Sequence, residues 1–326
     1  MKKNIQFDGS AYRLRSVQVE DAEFIISTRL EDIERNKFIS PISEDISLQR
    51  KWIEAYLLKE DDYYFVIENC LTGNKEGLIG IYNILDNKAE WGRWVLKKGS
   101  LAALESVNLI FKFAFNTLSL DEIYSRTITE NIPVISFHNS LPQLQRGPLK
   151  EEFNIKGIVY DAFEHYVTKS YYLENLQANL EQRIHLIFQR NFRALLGKLN
   201  FHHIGVATQN IEKEFETYQM LGYRKESNFF EDHEQGIRGL FIVADGQPRL
   251  ELLENLSGSI TLDIWLERKI KMYHFAYQVQ DIEKVIDIFN KNKIKTISPL
   301  KQSVYFGKRI TFLLLKNMYL IELIEA

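Results

Sequence analysis

The sequence predicts an α+β protein made of two domains, and three observations support this fold class. The chain has 326 residues, about twice the length of an average domain of ~150 residues. In the first half, a run of strand-like segments precedes alternating helix-like and strand-like segments, a pattern typical of a mixed sheet with helices. In the second half, one pattern of a strand, a helix and three further strands occurs twice.

The composition is that of an ordinary globular protein. Hydrophobic residues make up 45% of the chain and charged residues 26%, which provides enough apolar side chains for two cores. The formal net charge of −3 argues against a nucleic-acid surface built on bulk positive charge. The sequence shows neither a signal peptide nor an apolar run of ~18 residues. The single cysteine, Cys70, excludes an intramolecular disulfide. We therefore expect a cytoplasmic protein without nucleic-acid or membrane partners. The sequence leaves open whether the protein forms a homo-oligomer.

The first predicted domain, residues 1–170, begins with a strand and a helical region whose acidic first turn suits a helix N-terminus. Turn sequences separate the segments that follow. In chain order, the predicted strands are "YRLRSV", "YYFVIEN", "GLIGIYNIL", "AEWGRWVL", "EIYSRTI" and "IVYDAFEHYVT". The predicted helices are a helical pair in "VEDAEFIISTRLEDIERNKFI", then "SLQRKWIEAYLLKE", "LAALESVNLIFKFAFNTL" and "NIPVISFHNSL".

Residues 171–199 contain no proline and one late glycine, so they predict a helix that connects the domains. Residues 200–326 predict a duplicated βαβββ module, with copies at 200–256 and 271–326. The elements of the first copy are "NFHHIGVAT", "IEKEFETYQMLGY", "GLFIVA" and "RLELLEN". Those of the second copy are "MYHFAYQV", "IEKVIDIFNKNK", "RITFLLL" and "MYLIELIEA".

Each copy of the module carries a histidine and a glutamate at one fixed separation. His203 and His274 open the first strands of the two copies, and Glu251 follows His203 at the same interval at which Glu322 follows His274. Strand alternation places each glutamate on the face opposite its large apolar neighbours. Two imidazoles and two carboxylates in one concavity suit a divalent metal such as Mn, Fe, Co, Ni or Zn. The alternative is a hydrogen-bonded polar cluster that no longer binds metal.

The motifs "HHIGVA", "EQGIRG", "LELLENL", "YHFAYQVQDIEK" and "YLIELIE", in this order, resemble the vicinal oxygen chelate superfamily of glyoxalases and bleomycin-resistance proteins, especially methylmalonyl-CoA epimerase. The resemblance implies that the four residues of the repeat are metal ligands. Some epimerases carry a proton-moving acid a few residues after the "EQG" turn, and here that position is Gly239. The resemblance therefore leaves catalysis by this domain open even where the metal is retained.

The first domain is similar to the GNAT superfamily of N-acetyltransferases, in its ribosomal-protein and amino-sugar branch. The matching segments are "LRSVQVEDAEFIISTR", "WIEAYLLKEDDYYFVIEN", "GLIGIYNI", "AEWGRWVL" and "TENIPVISFHNSL". The resemblance implies coenzyme A binding by a splayed strand and by a loop at a helix N-terminus, where free N–H groups suit phosphate. The residues it implies are Val95, Leu96, Lys97, Lys98, Gly99, Ser100, Leu101 and Ala102.

The phosphate loop departs from the family pattern, because Ser100 stands where the central glycine belongs and a Cβ there crowds the backbone. The alternative is a decayed acyltransferase kept as a scaffold. Asn131 matches the family position that contacts the pantetheine arm. His138 stands where the family has a tyrosine that protonates the leaving thiolate, and an imidazolium could donate that proton near neutral pH. Glu90 is the candidate base for the incoming ammonium, with a solvated strand residue as the alternative.

The two domains together resemble nucleotide-sugar N-acyltransferases that act on dTDP-linked amino-dideoxy sugars for surface polysaccharide. The resemblance implies an acyl-CoA donor, with 3-hydroxybutyryl as the acyl group, a dTDP-amino sugar acceptor, and a C-terminal domain that is structural or shapes the substrate cleft. Two other functions stay open. The chain could be a bifunctional enzyme with a metal-dependent acyl-CoA epimerase or lyase, or a non-catalytic protein that binds CoA thioesters.

Overall fold

The computed structural model describes residues 4–32, 34 and 36–326. The chain divides into two compact units, Met1–Asn191 and Phe192–Ala326. The boundary lies inside the segment 171–199, which the sequence predicts as a connecting helix. In the described residues, no helix combines the length and the apolar composition needed to cross a membrane.

The first unit is a mixed sheet with helices. Its strands are β1 (Gln6–Asp8), β2 (Tyr12–Ser16), β3 (Tyr63–Asn69), β4 (Lys75–Leu85), β5 (Lys88–Leu96), β6 (Glu122–Ile128), β7 (Leu144–Ile155) and β8 (Ile158–Thr168). Its helices are α1 (Ala22–Leu30), α2 (Ile46–Leu57), α3 (Ala103–Lys112), α4 (Ile132–Ser140), α5 (Lys169–Tyr171) and most of α6 (Gln177–Leu196). The strand order is β1-β2-β3-β4-β5-β6-β8-β7.

The centre of this sheet opens between β5 and β6. The two strands pair in parallel only where Lys88–Glu90 face Glu122–Tyr124. Beyond Glu90, β5 continues along β4, whereas β6 continues along β8. Trp91 and the residues of α3 fill the core beneath the opening, with Trp91 edge-on to Phe111 at 6.1 Å between ring centroids. The splayed strand predicted from the sequence is therefore present.

Several parts of the first unit differ from the sequence predictions, among them the short strand β1, which the sequence does not predict. The sequence does not predict strand β7, and its Gly147-Pro148 dipeptide is tolerated because β7 is an edge strand that pairs only with β8. The predicted helical pair contains one described helix, α1, which ends at Leu30. The Asn36 side chain donates to the carbonyls of Thr28 and Arg29 there, and residues 33 and 35 lie outside the described part of the chain.

The second unit contains the predicted duplication. Its strands are β9 (Asn200–Ala207), β10 (Arg224–Lys225), β11 (Phe230–Asp232), β12 (Ile237–Val243), β13 (Leu250–Asn255), β14 (Met272–Val279), β15 (Lys295–Thr296), β16 (Lys301–Gln302), β17 (Arg309–Leu314) and β18 (Leu320–Glu325). Its helices are α7 (Ile211–Gln219), α8 (Asp263–Glu267) and α9 (Ile282–Lys291). The main strand order is β10-β12-β13-β9-β14-β18-β17-β15. The strands of the second module therefore follow those of the first in mirrored order.

The two copies meet at their first strands, because β9 and β14 pair antiparallel at the centre of the sheet. The helix of each copy begins in the same way. The side chain of Asn210 accepts a hydrogen bond from the Lys213 amide, and the side chain of Asp281 accepts one from the Lys284 amide. The predicted α+β fold with duplicated βαβββ modules is thus confirmed.

Candidate active site and candidate metal centre

A cavity of about 330 Å³ lies in the first unit where β5 and β6 part. Four residues predicted from the sequence line it: Glu90 and Val95 from β5, Asn131 at the start of α4, and His138 inside α4. The fold therefore brings the candidate base, the candidate proton donor and the candidate pantetheine contact to one cavity.

Glu90 is a buried carboxyl group with one amide partner. The Asn83 side chain donates from Nδ2 to Glu90 Oε2 at 3.0 Å. Burial raises the pKa of Glu90, and the hydrogen bond from Asn83 opposes this effect. A carboxylate whose pKa lies closer to neutrality is a better proton acceptor for an ammonium than a solvated one.

His138 is held by two neighbours. Its Nδ1 lies 3.0 Å from Gln143 Oε1 and its Nε2 lies 3.4 Å from the Ser125 hydroxyl. With the Gln143 oxygen as acceptor, Nδ1 carries the hydrogen and Nε2 accepts from Ser125. Burial, aided by the neighbouring His165, lowers the pKa of His138 to about 4. The neutral imidazole therefore predominates at pH 7, and the expected imidazolium is a minor form there.

His165 extends this histidine cluster. Its ring stacks on that of His138 with centroids 4.4 Å apart and planes 8° apart. Both ring nitrogens of His165 are buried without a hydrogen-bond partner, and burial lowers its pKa. The two rings thus form a neutral, closely packed pair beneath the cavity.

A second depression, of about 580 Å³, is lined by Lys97, Lys98, Gly99 and Ser100 of the predicted phosphate loop, together with Phe24, Asn74, Lys75 and Glu76. Lys75 and Lys97 lie over the Phe24 ring, with Nζ at 5.6 and 5.2 Å from its centroid. Gly99 has φ +81, a conformation that favours glycine. The positive charge expected for a pyrophosphate site is therefore present.

Ser100 changes the chemistry of this loop. Its hydroxyl donates to Glu76 Oε2 at 2.7 Å and accepts the Ala102 amide at 3.2 Å. One of the amides at the start of α3 is thus already satisfied, and a carboxylate lies beside the loop. Of the other predicted loop residues, Leu101 is half exposed and Ala102 is buried, so neither side chain faces this depression.

Several further residues that the sequence does not mark as functional line the cavity, namely Arg29, Tyr82, Trp91, Arg93, Ser125 and Arg126. Arg93 has φ +50 in the middle of β5, at the irregularity in the β4–β5 register. Its guanidinium binds both carboxylate oxygens of Asp62, at 2.6 and 2.9 Å. A positive φ in a β-rich segment such as "EWGRWV" has no sequence signal, because arginine does not favour it.

The four repeat residues of the second unit converge at one point. The ligand-type atoms of His203, Glu251, His274 and Glu322 all lie within 4.8 Å of one another, and all four residues are buried. His203 Nε2 is 3.0 Å from Glu251 Oε2, 3.1 Å from His274 Nε2 and 3.4 Å from Glu322 Oε2. Donors ~2.1 Å from one ion stand ~3.0 Å apart at a right angle and ~3.4 Å apart at a tetrahedral angle. The spacing fits a divalent cation.

The polar atoms of this centre are poorly satisfied by the protein itself. Glu322 Oε2 is buried without a hydrogen-bond donor. Burial raises the pKa of both Glu251 and Glu322 and lowers the pKa of His203 and His274 to about 3. Neutral imidazoles have a free lone pair for a metal, and a cation would offset the cost of the buried carboxylates.

A neighbouring histidine orients one ligand. His203 Nδ1 lies 2.8 Å from His202 Nδ1, so a hydrogen on His203 Nδ1 can be donated to His202 and leave His203 Nε2 free. The Arg249 guanidinium lies 3.1 Å from His202 Nε2 and donates to Glu226 at 2.5 Å. The sequence contained the signal for this support in the doubled "HH" of "FHHIGVA".

Aromatic side chains cover the centre. The remaining cavity is about 20 Å³, and its lining includes Phe230, Tyr305 and Phe306. The Phe230 and Tyr305 ring centroids are 4.7 Å apart. Gly239 is the position at which some epimerases carry a proton-moving acid, and a Cβ built there would lie 2.1 Å from the Phe230 ring. The volume accommodates an ion or a water molecule, but it does not accommodate an acyl-CoA.

Comparison with known families defines the class of the protein. Residues 12–141 match the acetyltransferase (GNAT) domain, and residues 202–312 match the glyoxalase/bleomycin resistance protein/dioxygenase superfamily. The chain thus combines a GNAT acetyltransferase domain with a glyoxalase-superfamily domain. It is a CoA-dependent N-acyltransferase, with a coenzyme A thioester as co-substrate.

Individual relatives match one half of the chain each. The SPbeta prophage-derived uncharacterized N-acetyltransferase YokL of Bacillus subtilis (strain 168) is 25% identical over 158 residues, which cover 47% of this chain and 87% of that protein. Mitochondrial methylmalonyl-CoA epimerase of Dictyostelium discoideum is 25% identical over 134 residues, covering 40% and 79%. Apo FdhC, described as a nucleotide-linked sugar GNAT, is 28% identical with a TM-score of 0.45, covering 53% and 94%.

Proposed function

We propose that the protein transfers an acyl group from acyl-CoA to the amine of a dTDP-linked amino-dideoxy sugar, in the synthesis of surface polysaccharide. The donor proposed is 3-hydroxybutyryl-CoA and the acceptor dTDP-3-amino-3,6-dideoxygalactose. The observation that carries the acyl-transfer part is the cavity between β5 and β6, which Glu90, Asn131 and His138 line together. The nucleotide-sugar part is supported by the sequence resemblance of the two-domain arrangement.

In the proposed reaction, Glu90 accepts a proton from the sugar ammonium, directly or through a water molecule. The neutral amine then attacks the thioester carbonyl carbon, the C–S bond breaks, and the nitrogen loses one further proton to solvent as the secondary amide forms. The departing thiolate receives a proton from the minor imidazolium form of His138, relayed by the Ser125 hydroxyl at 3.4 Å from Nε2. Asn131 contacts the pantetheine arm in this proposal.

The phosphate end of coenzyme A is proposed to lie in the depression at Lys97 and Lys98. Both side chains are free of ion pairs among the described residues, so their charges are available to a pyrophosphate. The Ala102 amide already donates to the Ser100 hydroxyl, so it is not available to the pyrophosphate. Electrostatic attraction by the two lysines is therefore the larger contribution to pyrophosphate binding.

For the second unit we propose that His203, Glu251, His274 and Glu322 hold a divalent cation. Such an ion supplies Lewis acidity to an oxygen that reaches it. The cover of Phe230, Tyr305 and Phe306 leaves about 20 Å³ at the centre, which favours a structural cation over the alternative of an acyl-CoA epimerase.

The experiment that tests the function is mass spectrometry of products formed from a panel of acyl-CoAs and dTDP-amino sugars. We expect one added acyl group on the sugar amine, with Glu90→Gln as a variant that is at least ~100-fold slower. Acyl-CoA binding without any acylated product across the panel would instead favour a CoA-thioester sensor.

A further inference from the structure

The arginines that line the 330 Å³ cavity differ in how their charge is balanced. Arg93 binds both oxygens of Asp62 at 2.6 and 2.9 Å. Arg126 donates to Glu164 at 3.1 Å. Arg29 has no carboxylate within ion-pair distance among the residues that the structure describes. One positive charge of the cavity wall is therefore not neutralised by the described part of the protein.

The Arg29 guanidinium has few hydrogen-bond partners and no counter-charge among the described residues. Its Nη2 donates to the Ser40 carbonyl at 2.5 Å, and its Nε is buried without a partner. Burial raises the pKa of Tyr64, and the nearby charge of Arg29 opposes this effect. Arg29 is partly buried, and a partly desolvated guanidinium without a counter-charge would bind an anion favourably.

The wall of the cavity carries charges of both signs. Glu90 is the acidic residue that lines the cavity, and Arg29 is the cation without a partner among the described residues. An acceptor that fits both carries a protonated amine for Glu90 and an anionic group for Arg29. A polyamine carries only positive charges, so its second amine would be repelled by Arg29.

We infer that Arg29 binds a phosphate oxygen of the acceptor's nucleoside diphosphate and thereby selects a nucleotide-linked amino sugar over a polyamine or a free amino sugar. This inference rests on the proposed function. The planar guanidinium presents its N–H groups in a fork that matches two phosphate oxygens, and charge-assisted hydrogen bonds of this kind are the stronger ones. Phe38 and Ile39 line the cavity beside it and provide apolar contact for the rest of the nucleotide.

The test compares a dTDP-amino sugar with the same amino sugar lacking the nucleotide. Arg29→Met should raise the KM for the dTDP-sugar by about tenfold to a hundredfold, because one charge-assisted contact is lost. Arg29→Lys should raise this KM less, because lysine keeps the positive charge but lacks the planar guanidinium that can bind two oxygens. The KM values for acyl-CoA and for the free amino sugar should stay unchanged. Arg50→Met, at an exposed arginine of α2, is the matched control.

Two results would overturn the inference. An equal rise in KM for both acceptors would show that Arg29 serves only the packing of the cavity wall. A rise in the KM for acyl-CoA alone would show that Arg29 binds a phosphate of the donor rather than of the acceptor. Failure of the wild-type protein to acylate any dTDP-sugar would overturn the proposed function alone. In that case calorimetry with dTDP, on protein saturated with coenzyme A, still tests Arg29. We expect binding to wild type and at least ~tenfold weaker binding to Arg29→Met, whereas equal binding, or none to wild type, would overturn the inference.

Discussion

The imidazole of His274 lies directly on Gly205, with no room for a side chain between them. A Cβ built at residue 205 would be 2.0 Å from Cε1 and 2.2 Å from Nδ1 of His274. The two residues face each other across the antiparallel pairing of β14 and β9. The equivalent position of the second module is Ala276, which faces His203. The duplicated modules are thus unequal at their centre, because only His274 requires a glycine opposite.

Gly205→Ala should disturb the proposed metal centre. The added methyl group would push His274 out of line with the other three ligands, and overpacking of this kind costs about 1–3 kcal/mol of folding free energy. We expect a lower melting temperature and loss of bound metal, measured by emission spectrometry on protein purified without added metal.

Ala276→Gly is the matched control for this change. It removes a methyl group at the equivalent position, so the histidines should keep their places and the metal content should stay as in wild type. The cost should be about 1–2 kcal/mol, from backbone entropy and from the loss of one buried methyl group, since Ala276 is fully buried. Wild-type metal content in Gly205→Ala would contradict the structural relationship between Gly205 and His274.

The repeated part of the fold was predictable because its signals recur at a constant spacing along the chain. The interval from His203 to Glu251 is the same as the interval from His274 to Glu322. Strands rich in aromatic and β-branched residues, such as β3 and β8, are also predicted at their observed bounds. A local pattern that recurs needs no knowledge of the tertiary structure.

The parts that could not be predicted depend on contacts between distant segments. Phe230 and Tyr305 cover the metal centre from the two different modules, and neither lies in a segment that carries a motif. Arg29 is one of many arginines in the sequence, and only the cavity shows that it lacks a carboxylate partner among the described residues. The lowered pKa of His138 was missed for the same reason, since burial cannot be read from "SFHNS".

Lys97→Glu together with Lys98→Glu should raise the KM for acyl-CoA more than the KM for the acceptor. Two attractive charges near the pyrophosphate become repulsive, and the loop amides offer little compensation because Ser100 occupies one of them. Steady-state kinetics with each substrate varied in turn measures the effect. The control is Lys213→Glu together with Lys316→Glu, which changes the net charge by the same amount at exposed lysines of the second unit. A shift in acceptor KM alone would show that the loop is wrongly assigned.

Acyl transfer should not require a metal in the second unit. An amine that attacks a thioester displaces a good leaving group, so the reaction needs no Lewis acid at the carbonyl. Protein treated with a chelator until metal analysis finds none should keep its full turnover number at a temperature where it stays folded. Turnover that disappears with the metal and returns with Mn or Zn would contradict this and favour a bifunctional enzyme.

His138→Gln tests the proton donor, because glutamine can keep the hydrogen bond to Ser125 but carries no titratable proton. General acid catalysis contributes about 10²–10⁴-fold to a rate. We expect a loss near 10²-fold in kcat at pH 7, the lower end of that range, since a pKa of about 4 leaves the imidazolium as a minor form. In wild type, Glu90 must be deprotonated while His138 is protonated, so kcat should fall as the pH rises above the raised pKa of Glu90. This fall should be absent in the variant.

A structural role for His138 predicts a different result, which can be measured on the same variant. Burial lowers the folded-state pKa to about 4, below the 6.5 of the unfolded chain, so the unfolded state binds more protons between these values. Wild-type stability should therefore be full above pH 6.5 and fall by up to about 3 kcal/mol as the pH drops toward 4. His138→Gln should lose less stability than wild type over this window, as measured by denaturant unfolding at each pH. If that difference is found while kcat per folded molecule stays unchanged, His138 serves packing, and the proton reaches the thiolate from water or another residue.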